Sequence, residues 1–407
     1  MSWALVHLPL TRKGFLAGPI SKAQHQCLEI NLISSLIAPV TGSVKNFEHL
    51  MIPLTHIQSA TNDFSIDYKV FSSSEGYNLY RAELEHYDKE NHSFKRHNTV
   101  IIKRYPVGNN FYREEGFLTE IEMLMNIKHP NIVALLGFCI EHSEMILVIE
   151  NLSNKLLGQC LRVDNDRRIL TWERRLKICI GVGHALRYIH YEMEDQKMII
   201  NRDINCYNIG LDENQEAKIV HFWWSVFVPQ NQEDKAFHVK RRLGRAYYKD
   251  PQYEKTGKIK REIDVYSFGV VLLEILCGRF GNDQIYKNES NKGLVTFARQ
   301  SFSTGKLKDM IDPLIKDEMG ENNFILNRGP NSDSLNTFIE IAHLCVAETQ
   351  DKRPTMKVVV NELEKALFLQ VSHHSNFKLS MRRCHLCDES QKYKKCRMLD
   401  DIRFKLI

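Results

Sequence analysis

The residues whose types could do chemistry are concentrated in 199–223, IINRDINCYNIGLDENQEAKIVHFW. An apolar Met198-Ile199-Ile200 leads into a polar loop carrying the carboxylate of Asp203 and, five positions on, the amide of Asn208. A strand-like Ala217-Lys218-Ile219-Val220 then runs into the turn His221-Phe222-Trp223. The stretch reads as a loop, two short strands and a turn, with polar groups held between apolar stems. Elsewhere, single charges such as Lys103 and Glu120 have the ordinary reading of solvated surface groups. Near the C-terminus, Cys384-x-x-Cys387 with His385 and Cys396 falls short of a four-ligand zinc site. A disordered basic tail over 371–407 is the expectation there, and its run Lys392, Lys394, Lys395, Arg397 allows peripheral contact with an anionic membrane.

The elements that must position these groups follow from composition and periodicity. The chain has 407 residues, 43% apolar and 26% charged, which suits a globular protein with real cores. A net charge of +5 is too mild to point to nucleic acid. Ten cysteines without a spacing framework suit free thiols in a reducing compartment, so a cytoplasmic location is expected. No apolar run reaches the roughly 18 residues of a membrane span. Residues 1–50 lack periodicity and are expected to be a disordered leader. Next come a short helix at 55–61 and strands at 68–71, 78–84 and 99–104, with a charged loop at 88–97. A helix at 117–125 and strands at 133–139 and 145–150 complete a small strand-rich lobe. From 152 the pattern turns helical, with helices at 172–190, 263–277, 293–304, 334–347 and 356–369. The one at 263–277 is apolar almost all round and therefore predicted to be buried.

Five motifs then stand out in order: IPLTHIQSATNDFS (52–65), HPNIVALLGFC (129–139), LTWERRLKICIGVGHALRYIH (170–190), DVYSFGVVLLEIL (264–276) and KRPTM (352–356). Together they resemble a eukaryotic protein kinase, more narrowly the plant receptor-like kinase group related to Pelle, over residues 51–370. The resemblance implies an α+β, two-lobed fold: a β-rich lobe at about 51–150, a mainly helical lobe at about 151–370, and an ATP cleft between them. By the same resemblance Lys103, in Val100-Ile101-Ile102-Lys103, would reach the nucleotide phosphates and pair with Glu120. Asn201-Arg202-Asp203 stands at the catalytic-loop motif, making Asp203 the candidate base and Asn208 a candidate metal ligand. Leu79, Ile101 and Gly210 would line the nucleotide pocket, while Arg202, Phe222, Asp264, Gln252 and Arg353 match structural positions.

The departures from that pattern carry the functional reading. Ser72, Ser74 and Tyr77 occupy the three glycine positions of the phosphate-covering loop, where a Cβ obstructs close backbone approach. Glu75 adds a negative charge beside a polyanion. His221-Phe222-Trp223 replaces Asp-Phe-Gly, and a neutral imidazole is a poor ligand for the hard cation Mg2+. Asn205 replaces a lysine that would stabilise the transferring phosphoryl group. Ile101 stands for an alanine and Gly210 for a leucine, so one pocket wall gains bulk and the other loses it. Gln252 replaces the glutamate whose carboxylate would pair with Arg353, leaving at most a neutral hydrogen bond. Residues 226–246 hold no Ser or Thr, so Arg202 has no phosphosite in that segment to read. Three readings stand at this point. One is a pseudokinase acting as a signalling interaction or allosteric module, with weak or metal-independent nucleotide binding and protein partners such as receptor-like kinases. The second is a low-efficiency ATP-dependent Ser/Thr kinase. The third is a decayed, marginally stable product.

Overall fold

The computed structural model describes residues 48–73, 76–88, 93–105, 111–141, 144–152, 155–194, 197–229, 237–238, 243–286, 293–316 and 329–386. A helix α1 (Leu54–Ala60) precedes strands β1 (Lys69–Ser72), β2 (Asn78–Asp88) and β3 (Ser93–Tyr105). Helix α2 (Phe111–Asn126) and strands β4 (Leu135–Glu141) and β5 (Glu144–Glu150) follow. The strands form one antiparallel sheet in the order β1-β2-β3-β5-β4.

The period of two along a strand decides what each face holds. Lys103 pairs with Leu79 on β2 and Leu147 on β5, and Ile101 pairs with Arg81 and Ile149, so these residues share one face. The alternate residues Tyr80, Ala82, Val100, Ile102 and Val148 bury the opposite face under Ile52, Leu54 and Ile57 around α1. The stretch 88–97 departs from the loop expected there. Strand β2 runs to Asp88 and β3 starts at Ser93, with Glu85 opposite His97 and His86 opposite Arg96. A ladder needs partners for its N–H and C=O groups rather than apolar side chains, so a charged stretch can extend a hairpin.

The second lobe contains α3 (Leu157–Arg162), α4 (Asp164–Ile169), α5 (Trp172–Arg187), β6 (Lys197–Ile200), β7 (Ile209–Leu211), β8 (Ala217–Ile219) and β9 (Val226–Pro229). Helices α6 (Pro251–Thr256), α7 (Glu262–Cys277), α8 (Gly293–Ser303), α9 (Ser332–Cys345) and α10 (Met356–Leu386) complete its longer elements. Helix α10 continues well past 369, because no Gly or Pro follows to break it before Leu386. As its all-round apolar pattern predicts, α7 is the pillar of the lobe, buried at every residue from Ile263 to Cys277. Beside it, the guanidinium of Arg175 donates to Asp312 Oδ2 at 2.7 Å and to the carbonyl of Leu170 at 2.8 Å. Among the described residues no helix is long and apolar enough to cross a membrane.

Glu274, also on α7, is fully buried and accepts from Tyr248 Oη at 2.7 Å, the Gly281 N–H at 2.7 Å and Cys206 Sγ at 2.9 Å. Burial is the largest influence and pushes this carboxyl up to about 7, against the downward pull of those donors. A carboxyl raised from 4.5 in the unfolded chain to about 7 in the folded one stabilises the fold below pH 4.5, and that stability is lost as pH rises to 7. Glu274→Gln is therefore expected to flatten the fall in unfolding free energy across this window by on the order of 3 kcal/mol. Urea titrations of both proteins at several pH values check it, and an unchanged slope would count against the assignment.

Candidate active site

The loop bearing Asp203 is held from below by α7. The Asp264 carboxylate accepts from the Asn201 and Arg202 N–H groups at 2.8 Å each, and lies 2.9 Å from His190 Nε2. These bonds hold Arg202 at φ +68°, a left-handed backbone that a non-glycine residue adopts only when its surroundings enforce it. Asn201 uses both ends of its amide. Its Nδ2 donates to the carbonyl of His221 at 2.8 Å, and its Oδ1 accepts from the Asp203 N–H at 3.1 Å. It thus ties the catalytic loop to the following turn.

Asp203 and Asn208 do come together: Asn208 Nδ2 donates to Asp203 Oδ2 at 2.7 Å. Asn205 Nδ2 donates to Asp203 Oδ1 at 3.2 Å, while its Oδ1 caps the short turn at Cys206–Asn208 by accepting from the Tyr207 N–H. Both carboxylate oxygens of Asp203 are therefore held by neutral amides. Arg202, read from sequence as lacking a phosphosite, donates instead to Tyr253 Oη at 2.6 Å and to the carbonyl of Trp224 at 3.1 Å.

Lys103 and Glu120 form a buried ion pair at 2.9 Å, with side chains 2% and 0% exposed. Lys103 Nζ also reaches His221 Nδ1 at 2.8 Å and the carbonyl of Val220 at 3.3 Å. An ammonium has three donors, so Glu120, His221 and Val220 between them use a full set. Donation to Nδ1 places the imidazole proton on Nε2, which lies 3.9 Å from Asp203 Oδ2. Glu120 further accepts from the Phe222 N–H at 3.1 Å and from Tyr105 Oη. Burial opposes its charge, yet the Lys103 ammonium and the Tyr105 hydroxyl hold it well below the usual carboxylate range.

Aromatic rings close over this pair. Tyr77 is buried, stacks on His221 with centroids 5.6 Å apart, and presents its face to Lys103 Nζ at 4.7 Å. Tyr77 thus fills the space over the lysine, where sequence reasoning foresaw only a Cβ in the way. Trp223 packs on Tyr105 with centroids 4.5 Å apart. A Cβ at Gly116, inside α2, would sit 2.2 Å from the indole. Sequence reasoning missed Gly116 and Tyr105, although a glycine inside an amphipathic helix is itself a signal of close approach. Further out, Phe71 stacks on Tyr207 at 6.4 Å and Tyr207 on Phe280 at 5.4 Å, linking β1 to the second lobe.

Leu79 and Ile101 line a cavity of about 400 Å³ at the outer end of the cleft. Gly210 lies beneath, and Leu152 fills the space that a side chain there would take: its methyls are 2.9 Å from the Cβ position. Ser72 is exposed and donates to Asn78 Oδ1 at 2.9 Å, away from the other candidates. Ser74 and Glu75 lie outside the described residues.

The donors beside Asp203 do not match what Mg2+ requires. Asn208 Oδ1 is buried without a hydrogen-bond partner among the described residues, and Asp203 supplies one carboxylate. His221 stands where a second carboxylate is needed and gives Nδ1 to Lys103. Two oxygen-bearing side chains and an imidazole make a poor octahedral oxygen site. Among the described residues no group of three or more His, Cys, Asp or Glu could hold a metal ion.

The neutral hydrogen bond between Gln252 and Arg353 that the sequence left open is replaced by other contacts. The buried charged partner of Arg353 is Asp250, at 2.7 Å, while Gln252 Oε1 accepts from the Gln350 N–H at 2.8 Å. The carboxylate two residues upstream reaches the guanidinium because it also caps α6, accepting from the Gln252 N–H.

Two lobes around a cleft, a buried Lys–Glu pair and an Asp/Asn loop anchored from below define a protein kinase fold. The family model described as protein kinase domain matches residues 90–363, and the chain belongs to that family. It is 36% identical over 322 residues to a probable receptor-like protein kinase of Arabidopsis thaliana, covering 79% of this chain and 35% of that protein. It is also 34% identical over 332 residues to Receptor-like protein kinase HERK 1 of Arabidopsis thaliana (81% and 36%). Against Cysteine-rich receptor-like protein kinase 41 of the same plant the identity is 30% over 318 residues (78% and 44%). The chain thus spans between about a third and under half of these relatives.

Two stability predictions follow from these contacts. Gly116→Ala should destabilise the protein by about 1–3 kcal/mol through overpacking against Trp223, yet be neutral or stabilising by up to about 1 kcal/mol in a Trp223→Gly background, where helix propensity decides. A double-mutant cycle by chemical denaturation measures the sign change. Asp250→Ala should cost about 3–5 kcal/mol by leaving the Arg353 charge buried alone, whereas Gln252→Glu should shift stability far less. Equal effects at the two positions would contradict the assignment of Asp250.

Proposed function

We propose that this protein kinase domain acts as a pseudokinase, a signalling interaction or allosteric module with weak, metal-independent nucleotide binding. The observation that carries the reading is the saturation of Lys103. Its three donors meet Glu120, His221 and Val220, and the Tyr77 ring covers it, so a phosphate must displace protein contacts to reach it. A metal-bridged γ-phosphate is central to phosphoryl transfer, and the His221 turn supplies no carboxylate for the metal. Partners are proposed to be receptor-like kinases or other signalling proteins at the cytoplasmic face of the plasma membrane. The intact Lys103–Glu120 pair and the Asp203–Asn208 contact favour a second reading, a low-efficiency ATP-dependent Ser/Thr kinase.

The two readings separate in a radiolabel assay with ATP and Mg2+ on a generic protein substrate. Incorporation at background, unchanged by Asp203→Ala, is expected; robust transfer abolished by Asp203→Ala would establish the second reading. Thermal shifts should show little Mg2+-dependent stabilisation by ATP. The triple change Tyr77→Gly, His221→Asp and Trp223→Gly should introduce it, since it clears the lysine and restores a carboxylate together.

A further inference from the structure

We propose that Arg245 is a built-in plug: its guanidinium takes the place beside Asp203 that the hydroxyl of a protein substrate would need, and so closes this carboxylate to any partner. The inference rests on the pseudokinase reading and deepens it, by naming the side chain that keeps Asp203 out of reach.

A carboxylate offers about four lone-pair positions, and four polar groups face those of Asp203. Asn205 Nδ2 lies 3.2 Å from Oδ1 and Asn208 Nδ2 lies 2.7 Å from Oδ2. His221 Nε2 stands 3.9 Å from Oδ2, and Arg245 Nε stands 3.9 Å from Oδ1. Asn205, Asn208 and His221 are themselves buried. Arg245 is 24% exposed against 2% for the Asp203 side chain, so it is the neighbour that stands between the carboxylate and solvent. A general base must be approached by its hydroxyl to about 2.6–3.2 Å. No oxygen fits between Oδ1 and a guanidinium nitrogen already at the distance of an ion pair.

The backbone around Arg245 is pinned to the loop it covers. Gly244 has φ +103°, in the left-handed region that favours glycine, and a Cβ there would sit 3.0 Å from the Arg202 carbonyl oxygen. Glycine therefore lets residues 243–245 lie directly against the loop that bears Asp203. Before it, the Leu243 N–H donates at 3.1 Å to Tyr253 Oη, the same hydroxyl that accepts from Arg202. After it, the Arg245 carbonyl accepts from the Tyr248 N–H at 3.0 Å, and Tyr248 Oη donates to Glu274. The guanidinium carbon lies 5.9 Å from the centroid of the Tyr207 ring, which Phe71 and Phe280 hold in place by stacking. Burial raises the Glu274 carboxyl, and Arg245 is among the groups that lower it, so one guanidinium answers two acids beneath it.

The test is coupling of glycinamide to carboxyl groups of the full chain with a water-soluble carbodiimide, read site by site by peptide mass mapping. In the unaltered protein Asp203 should stay unlabelled while the exposed Glu348 reacts. Arg245→Thr should speed labelling of Asp203 by about tenfold or more, with Asp264, buried beneath the same loop, still unlabelled. Arg245→Gln, a milder truncation read in the same way, stands in should Arg245→Thr not fold. Asp203 labelled as fast as Glu348 in the unaltered protein would overturn this inference and leave the pseudokinase reading standing. So would an Asp203 that stays protected in both variants. Asp203 and Asp264 becoming labelled together would also overturn it, since Arg245 would then hold the loop rather than cover the carboxylate. Robust Asp203-dependent phosphoryl transfer by the unaltered protein would overturn both.

Discussion

The buried charge of Lys103 is the constraint on which the rest of the cleft depends. An ammonium that is 2% exposed must be matched by a counter-charge and by acceptors for all its protons, or the fold loses several kcal/mol. Glu120 supplies the charge, and its position requires α2 to lie against β3. His221 and Val220 supply the other acceptors, and their positions require the turn after β8 to lie beneath the same lysine. One group thus fastens a helix of the first lobe, a strand of the sheet and a turn of the second lobe together. The partners of Lys103 thus come from both lobes of the protein itself.

Around that pair the substitutions behave as a set. Tyr77 brings a ring where a glycine would leave a path for phosphate, and His221 offers that ring a stacking face. Trp223 brings an indole where a glycine would leave a hinge, and Gly116 on the facing helix makes room for it. Gly210 gives up a side chain that Leu152 replaces with its own. At Trp223 and at Gly210 the change in volume is met by an opposite one nearby, as a close-packed interior requires. Compensation of this kind argues against a decayed, loosely packed product. The lower lobe shows the same economy where Asp250 takes the charge that Gln252 does not carry.

Much of the fold was legible in the chain. The apolar all-round helix at 263–277 is buried, because a helix without a polar face has no side to give to water. The strands of the first lobe follow β-branched and alternating patterns. The charged hairpin at 85–97 and the continuation of α10 were missed, since backbone pairing and helix propagation persist where no residue forbids them. At the site, the Lys103–Glu120 pair and the Asp203–Asn208 contact were readable through the resemblance, as were the departures at Tyr77, His221 and Trp223.

By itself, then, the sequence determined most of the elements and, through its resemblance to the protein kinases, which residues stand at the cleft and that a carboxylate and four glycines of the family pattern are replaced there. The elements depend on local periodicity and residue type, which the linear chain carries. Only the tertiary structure decided what fills the vacated space. Tyr77 could have pointed to solvent, and Gly116 could have been an unremarkable weak spot in a helix. Their pairing with His221 and Trp223 joins positions more than a hundred residues apart in the chain, and packing at that range has no periodic signal. The direction of Asp250 and the seat of Leu152 over Gly210 are of the same kind. Each is set by the volume its distant neighbours leave rather than by its own place in the chain.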